Sequence, residues 1–134
     1  MIRKPTCLAI IGSYDYSCYE VVRNHILAWE AKHQKMPTIL TGDALGVERL
    51  AQKFALAEKR KLTLFSNKDL SKRDDILLSR ADVAMSFSSG SSPTTRITVR
   101  KLKKSNIPVY EYMVGKSAKQ QKPITSFFVQ KTKT

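Results

Sequence analysis

The chain has 134 residues, 42% of them apolar, with 24 Lys+Arg against 11 Asp+Glu and a net charge of +13. That suffices for one domain with its own core, while no stretch approaches the ~20 uninterrupted apolar residues of a membrane span. Cys7 and Cys18 have neither CxxC nor zinc spacing, which excludes a disulfide framework and points to reduced thiols in an intracellular protein.

Taken in chain order, short apolar runs alternate with longer helical patterns, the signature of βαβ units. "MIRKPTCLAIIG" opens with two basic residues, but its apolar run is too short for a secretory signal, so Cys7–Gly12 reads as a buried strand. A helix follows over about Ser17 to His33, with Val22, Ile26 and Trp29 at i, i+4 and i+7 on its core face. His25 and His33 read as ordinary residues of that helix, and no metal site is predicted. "PTILTG" is the second strand and "GVERLAQKFALAEKR" the second helix, with Leu50, Phe54 and Ala57 expected inward.

"LTLF" is the third strand. Ser71 followed by Asp74 is the expected capping signal of a third helix. "DVAMSF" gives the fourth strand, and Pro93 suits the first turn of a helix through "RITVRKLKKS". "IPVYEY" is the fifth strand, after which the composition turns polar and basic and reads as a disordered tail. The expected fold class is α/β: a small three-layer Rossmann-like domain of about five parallel strands over residues 1–112, with a tail over 113–134.

The tail carries five lysines and no acid, so removing it from the net +13 leaves +8 on the body. An excess that stays with the folded surface points to a polyanionic partner, nucleic acid before membrane. On the fourth helix Arg96, Arg100 and Lys103/Lys104 recur at i, i+4 and i+7/8 with no acid between them, a stripe suited to phosphates.

In an open parallel sheet, ligands bind beyond the carboxyl ends of the strands at the switch in strand order. Three loops should meet there: "GSYDYS", "TGDALG" and "SSGSSPTT", all rich in small residues that let backbone N–H groups approach an anion. A phosphorylated nucleotide or a DNA phosphate is the expected occupant, close to Gly12, Ser13, Gly42, Gly46 and Thr95. Gly46→Val is expected to block that occupant and to leave the fold largely intact. Asp15, Asp43, Glu48 and Asp74 are carboxylates expected near this mouth, of which Asp43, Glu48 and Asp74 are catalytic candidates.

These segments resemble the SLOG superfamily, the Rossmann-like group that includes DprA and the LOG enzymes, in its small YspA-like branch. The resemblance runs through "IIGSYDYS", "ILTGDALGVERLAQKFA", "KRDDILLSRADVAMSF" and "SSGSSPTTRITVRKLKKSNIPVYEY", about residues 7–112. It implies a nucleotide- or phosphate-binding set of Gly12, Ser13, Gly42, Asp43, Gly46, Glu48, Arg73, Thr95 and Arg96. Tyr14 stands where the branch usually has Arg, Asp43 where it has Gly, Glu48 where it has Asp, Asp74 where it has Asn, and Thr94 where it has Gly. The LOG signature Pro-Gly-Gly-x-Gly-Thr-x-x-Glu is absent.

"QKPITSFF" places Ile124, Phe127 and Phe128 at i, i+3 and i+4, so a single turn gathers them into one apolar plug. With Gln121 they fit Q-x-x-[ILM]-x-x-[FY]-[FY], the motif by which replication and repair proteins bind the sliding clamp PCNA. The resulting expectation is a nucleotide- or DNA-binding protein recruited to that clamp, in the nucleus or at a replication site if eukaryotic or viral. The alternatives are a nucleotide-processing enzyme that hydrolyses an N-glycosidic bond, a non-catalytic clamp competitor, and a tail that folds back on its own domain. No cofactor is indicated.

Overall fold

A computed structural model of the chain describes residues 6–88, 93–113 and 130–131. The motif residues Gln121, Ile124, Phe127 and Phe128, and positions 89–92 of the fourth-strand loop, lie outside them. The elements run β1 (Cys7–Gly12), α1 (Tyr19–His33), β2 (Thr38–Gly42), α2 (Val47–Ala57), β3 (Leu62–Phe65), α3 (Leu70–Arg80), β4 (Val83–Ser88), α4 (Pro93–Lys104), β5 (Val109–Met113) and β6 (Gln130–Lys131). The strand order is β3-β2-β1-β4-β5-β6. The first five strands are parallel, which makes the body the Rossmann-like α/β domain read from the sequence. β6 is a departure: Gln130 and Lys131, expected in a disordered tail, pair antiparallel with Glu111 and Tyr110 on the edge of β5.

Period-two alternation divides β1 between two cores. Leu8 and Ile10 turn to α1 and α2, packing with Val22, Ile26, Trp29 and Phe54. Ala9 and Ile11 turn to the other face, where Leu77 of α3 and Val99 and Leu102 of α4 cover them. Each fully buried aliphatic or aromatic side chain of this kind contributes about 1.5–3 kcal/mol. The Arg60 guanidinium, just beyond α2, grips the Glu30 carboxylate of α1 through two 2.7 Å hydrogen bonds.

Several local expectations need correction. Ala57 is exposed, and the inward face of α2 is Val47, Ala51, Phe54 and Ala55. The cap of α3 is Asp69, whose carboxylate accepts from the N–H groups of Ser71 and Lys72, while Asp74 faces α4. Asp69 wins because its carboxylate sits one residue before the helix, within reach of the free amides of the first turn. With β1 and β4 adjacent and the order running outward on both sides, the topological switch falls between them, at Gly12 and Phe87.

Candidate functional site

The chain leaving β1 is tied down on three sides. The Ser13 N–H donates to the Phe87 carbonyl at 3.0 Å, and the Ser13 carbonyl accepts from Val47 at 3.2 Å and Tyr16 at 3.4 Å. One buried residue therefore joins the first loop, the start of α2 and the end of β4, and two of the three expected loops meet. Gly12 is small because the Phe87 carbonyl and the Val47 side chain occupy the space a Cβ would need. Gly46, at φ +80° before α2, lies against the Ser13 carbonyl and the backbone of Tyr14. The chain's own atoms thus fill the close approach that the sequence assigned to a ligand.

Gly42 serves a third such approach. Its missing Cβ leaves room for the Glu48 carboxylate, with the Phe65 ring at 2.5 Å and the Asn67 amide at 2.6 Å from the vacant Cβ position. Glu48, in the first turn of α2, is 3% exposed. Its Oε1 accepts from the Ala44 N–H at 3.1 Å and from the Asn67 side-chain amide at 2.9 Å. Burial raises its pKa, and the hydrogen bonds from Asn67 and Ala44 and the nearby Arg73 charge counter only part of that rise. Asp43 is exposed, and Asn67 donates to it twice, from Nδ2 at 2.8 Å and from the backbone at 3.1 Å, which holds it below the usual carboxylate range.

Asn67 is the hub of these carboxylates, and sequence reasoning missed it. Its Oδ1 accepts from Arg73 Nη1 at 3.4 Å. The buried Arg73 guanidinium continues to Thr98, donating from Nη2 to its hydroxyl at 2.7 Å. Asp74 closes the chain: its carboxylate lies 3.6 Å from Arg73 Nε and accepts from Lys101 Nζ at 2.7 Å. A polar relay therefore runs from the end of β2, through the β3–α3 loop, to the α3–α4 interface. Asp43 and Glu48 share one amide, Asp74 joins them only through Arg73, and Asp15 is exposed.

Thr95 is buried in the first turn of α4, and Arg96 beside it is exposed. Arg100, Lys103 and Lys104 are exposed along the same helix, so the expected stripe exists as a surface. It is not free of acids, however. Lys103 Nζ lies 2.6 Å from the Glu111 carboxylate, an acid supplied by β5 that the helix sequence alone did not reveal. Among the described residues no group of three or more His, Cys, Asp and Glu gathers as a metal site, and no helix is long and apolar enough to cross a membrane.

No protein-family model, curated protein or solved structure matches this chain. Its fold, its charge and its site geometry carry the functional reading.

Proposed function

We propose that this protein binds nucleic acid through phosphate contacts and works in DNA replication, repair or processing as a SLOG-like domain brought to PCNA by its tail. The observation that supports the binding reading most is α4. Arg96, Arg100 and Lys104 are exposed in succession on one helix, starting at the carboxyl end of the sheet. No acid pairs with them among the described ion pairs, whereas Lys101 and Lys103 are held by Asp74 and Glu111. Three unneutralised cations on a body of net charge +8 suit a polyanion, whose bound counterions they would release. The clamp-binding motif gives the localisation, at replication sites, and its basic flanks suit both an acidic partner rim and nearby DNA.

The reading favours binding over turnover, because the glycines at the switch are packed by the chain itself and both mouth carboxylates are engaged with Asn67. One observation supports the second reading, hydrolysis of an N-glycosidic bond in a nucleotide. Burial raises the pKa of Glu48 while Asp43 beside it is held low, and two carboxylates pushed apart are suited to acid and base roles. Turnover of nucleoside monophosphates by wild type, lost in Glu48→Gln, would establish it. The binding reading is tested by salt titration of DNA affinity for wild type and a variant with Arg96, Arg100 and Lys104 replaced by alanine.

A further inference from the structure

A cavity of about 270 Å³ opens between β4, β5 and the first turns of α4. It lies one strand away from the packed β1–β4 crevice. Its position is unexpected from packing alone. β4 is buried along its whole length, and such a strand ordinarily carries a continuous run of large apolar residues. On the side facing α4 it instead carries Ala84, Ser86 and Ser88, and the two serines line the cavity.

The rest of the wall has a divided chemistry. Val99 and Met113 supply an apolar side, and Met113 is 66% exposed at its edge. Tyr112 also borders the cavity, but its ring turns to the other face of the sheet, where it stacks on His25 and Phe87. Thr95 adds a third hydroxyl-bearing residue, and Arg96 and Glu111 complete the lining. Lys103 holds Glu111 at 2.6 Å, so with Arg96 the local balance is one positive charge. Arg96 also sits in the first turn of α4, where the helix dipole favours an anion. The volume is just under the roughly 300 Å³ at which drug-sized pockets begin, room for one mononucleotide-sized molecule rather than for a dinucleotide.

We propose that this cavity binds one nucleoside 5′-monophosphate, free or as the 5′-terminal residue of a nucleic-acid strand. The base lies against Val99 and Met113, the serine hydroxyls meet its polar edge or its sugar, and Arg96 takes the phosphate. This inference rests on the reading of Arg96 as a phosphate contact, and it moves the nucleotide from the switch-point crevice to the neighbouring β4–β5 gap.

The test is a titration of full-length protein labelled with ¹³C-methyl methionine. The probes are the four deoxynucleoside 5′-monophosphates, the corresponding nucleosides, and short oligonucleotides with and without a 5′-phosphate. At least one monophosphate, or only the 5′-phosphorylated oligonucleotides, should shift the Met113 methyl saturably while leaving exposed Met36 unmoved; these two results identify the free and strand-end sources respectively. Arg96→Gln, a surface change, should weaken that binding by roughly tenfold or more, as should removal of the phosphate from the probe. Ser86→Val should weaken it again if the variant folds.

A monophosphate that binds without moving Met113, or with an affinity indifferent to Arg96→Gln, overturns the cavity assignment. Salt-dependent oligonucleotide binding with Met113 unmoved by every probe also overturns it, but leaves the nucleic-acid reading standing. Absence of both kinds of binding refutes the two together.

Discussion

Gly46→Ala should destabilise the fold itself, whatever the site binds. Gly46 holds φ +80° and ψ −134°, a conformation open to glycine and strained for any other residue, at about 1–3 kcal/mol. A Cβ there would lie 2.4 Å from the Tyr14 carbonyl carbon and 2.5 Å from its Cα, so the first loop must move. That loop cannot move freely, because the Ser13 carbonyl accepts from Val47 and its N–H is bound to Phe87. Overpacking of this kind costs a further ~1–3 kcal/mol. The sum is centred near 4 kcal/mol, a large share of the 5–15 kcal/mol that holds a typical domain, and corresponds to a fall in Tm of roughly 12–20 °C. Urea and thermal unfolding of Gly46→Ala beside Leu45→Ala, an exposed neighbour in the same loop, measure it. The Leu45 variant should stay within about 0.5 kcal/mol of wild type. A Gly46→Ala loss below 1 kcal/mol would refute the reasoning. Gly46→Val is accordingly no clean ligand-blocking variant.

His25 stacks on Tyr112 at 4.0 Å, and burial pushes its pKa down to about 4 from 6.5. The unfolded chain therefore takes up this proton first, and stability falls as pH drops from 6.5 toward 4. Linkage gives a loss of about 2 kcal/mol between pH 7.5 and pH 5. Urea unfolding at both pH values should show it, and His25→Gln should remove most of the difference; an unchanged difference would contradict the burial argument. For the tail, a peptide of residues 116–134 should bind PCNA with micromolar affinity, about −8 kcal/mol, from burial of Ile124, Phe127 and Phe128 less the cost of ordering the chain. Phe127→Ala with Phe128→Ala should abolish that binding in calorimetry, and equal affinities for the two peptides would mean the motif is coincidental.

The body was legible because its signals are local. Short apolar runs marked β1 to β5, with proline before and glycine at the end of β1 and β2, and Val22, Ile26 and Trp29 at helical spacing marked the buried side of α1. What stayed hidden depends on pairing across the chain. Asn67 reads as a loop residue, and only the fold brings its amide to Asp43, 24 positions earlier, and to Glu48. Glu111 reads as one polar residue in a strand until β5 carries it to Lys103. The glycines were identified correctly as points of close approach, but periodicity and spacing do not say whether a ligand or the chain's own backbone comes close. β6 was illegible for a similar reason: Gln130 and Lys131 have no strand pattern of their own and are ordered by the edge of β5.

The nucleic-acid reading stands most directly on the salt dependence of DNA affinity. Fluorescence anisotropy with a labelled oligonucleotide at 50 and 200 mM salt compares wild type with Arg96→Ala, Arg100→Ala and Lys104→Ala combined. Removing three phosphate contacts should flatten the log–log slope by about 2.7, so that wild type loses about 40-fold more affinity than the variant over that interval. Lys103→Ala alone should change the slope less than Lys104→Ala, because Glu111 already neutralises Lys103. Parallel slopes for wild type and the triple variant, or a wild type with no measurable affinity for single- or double-stranded DNA, would contradict the account.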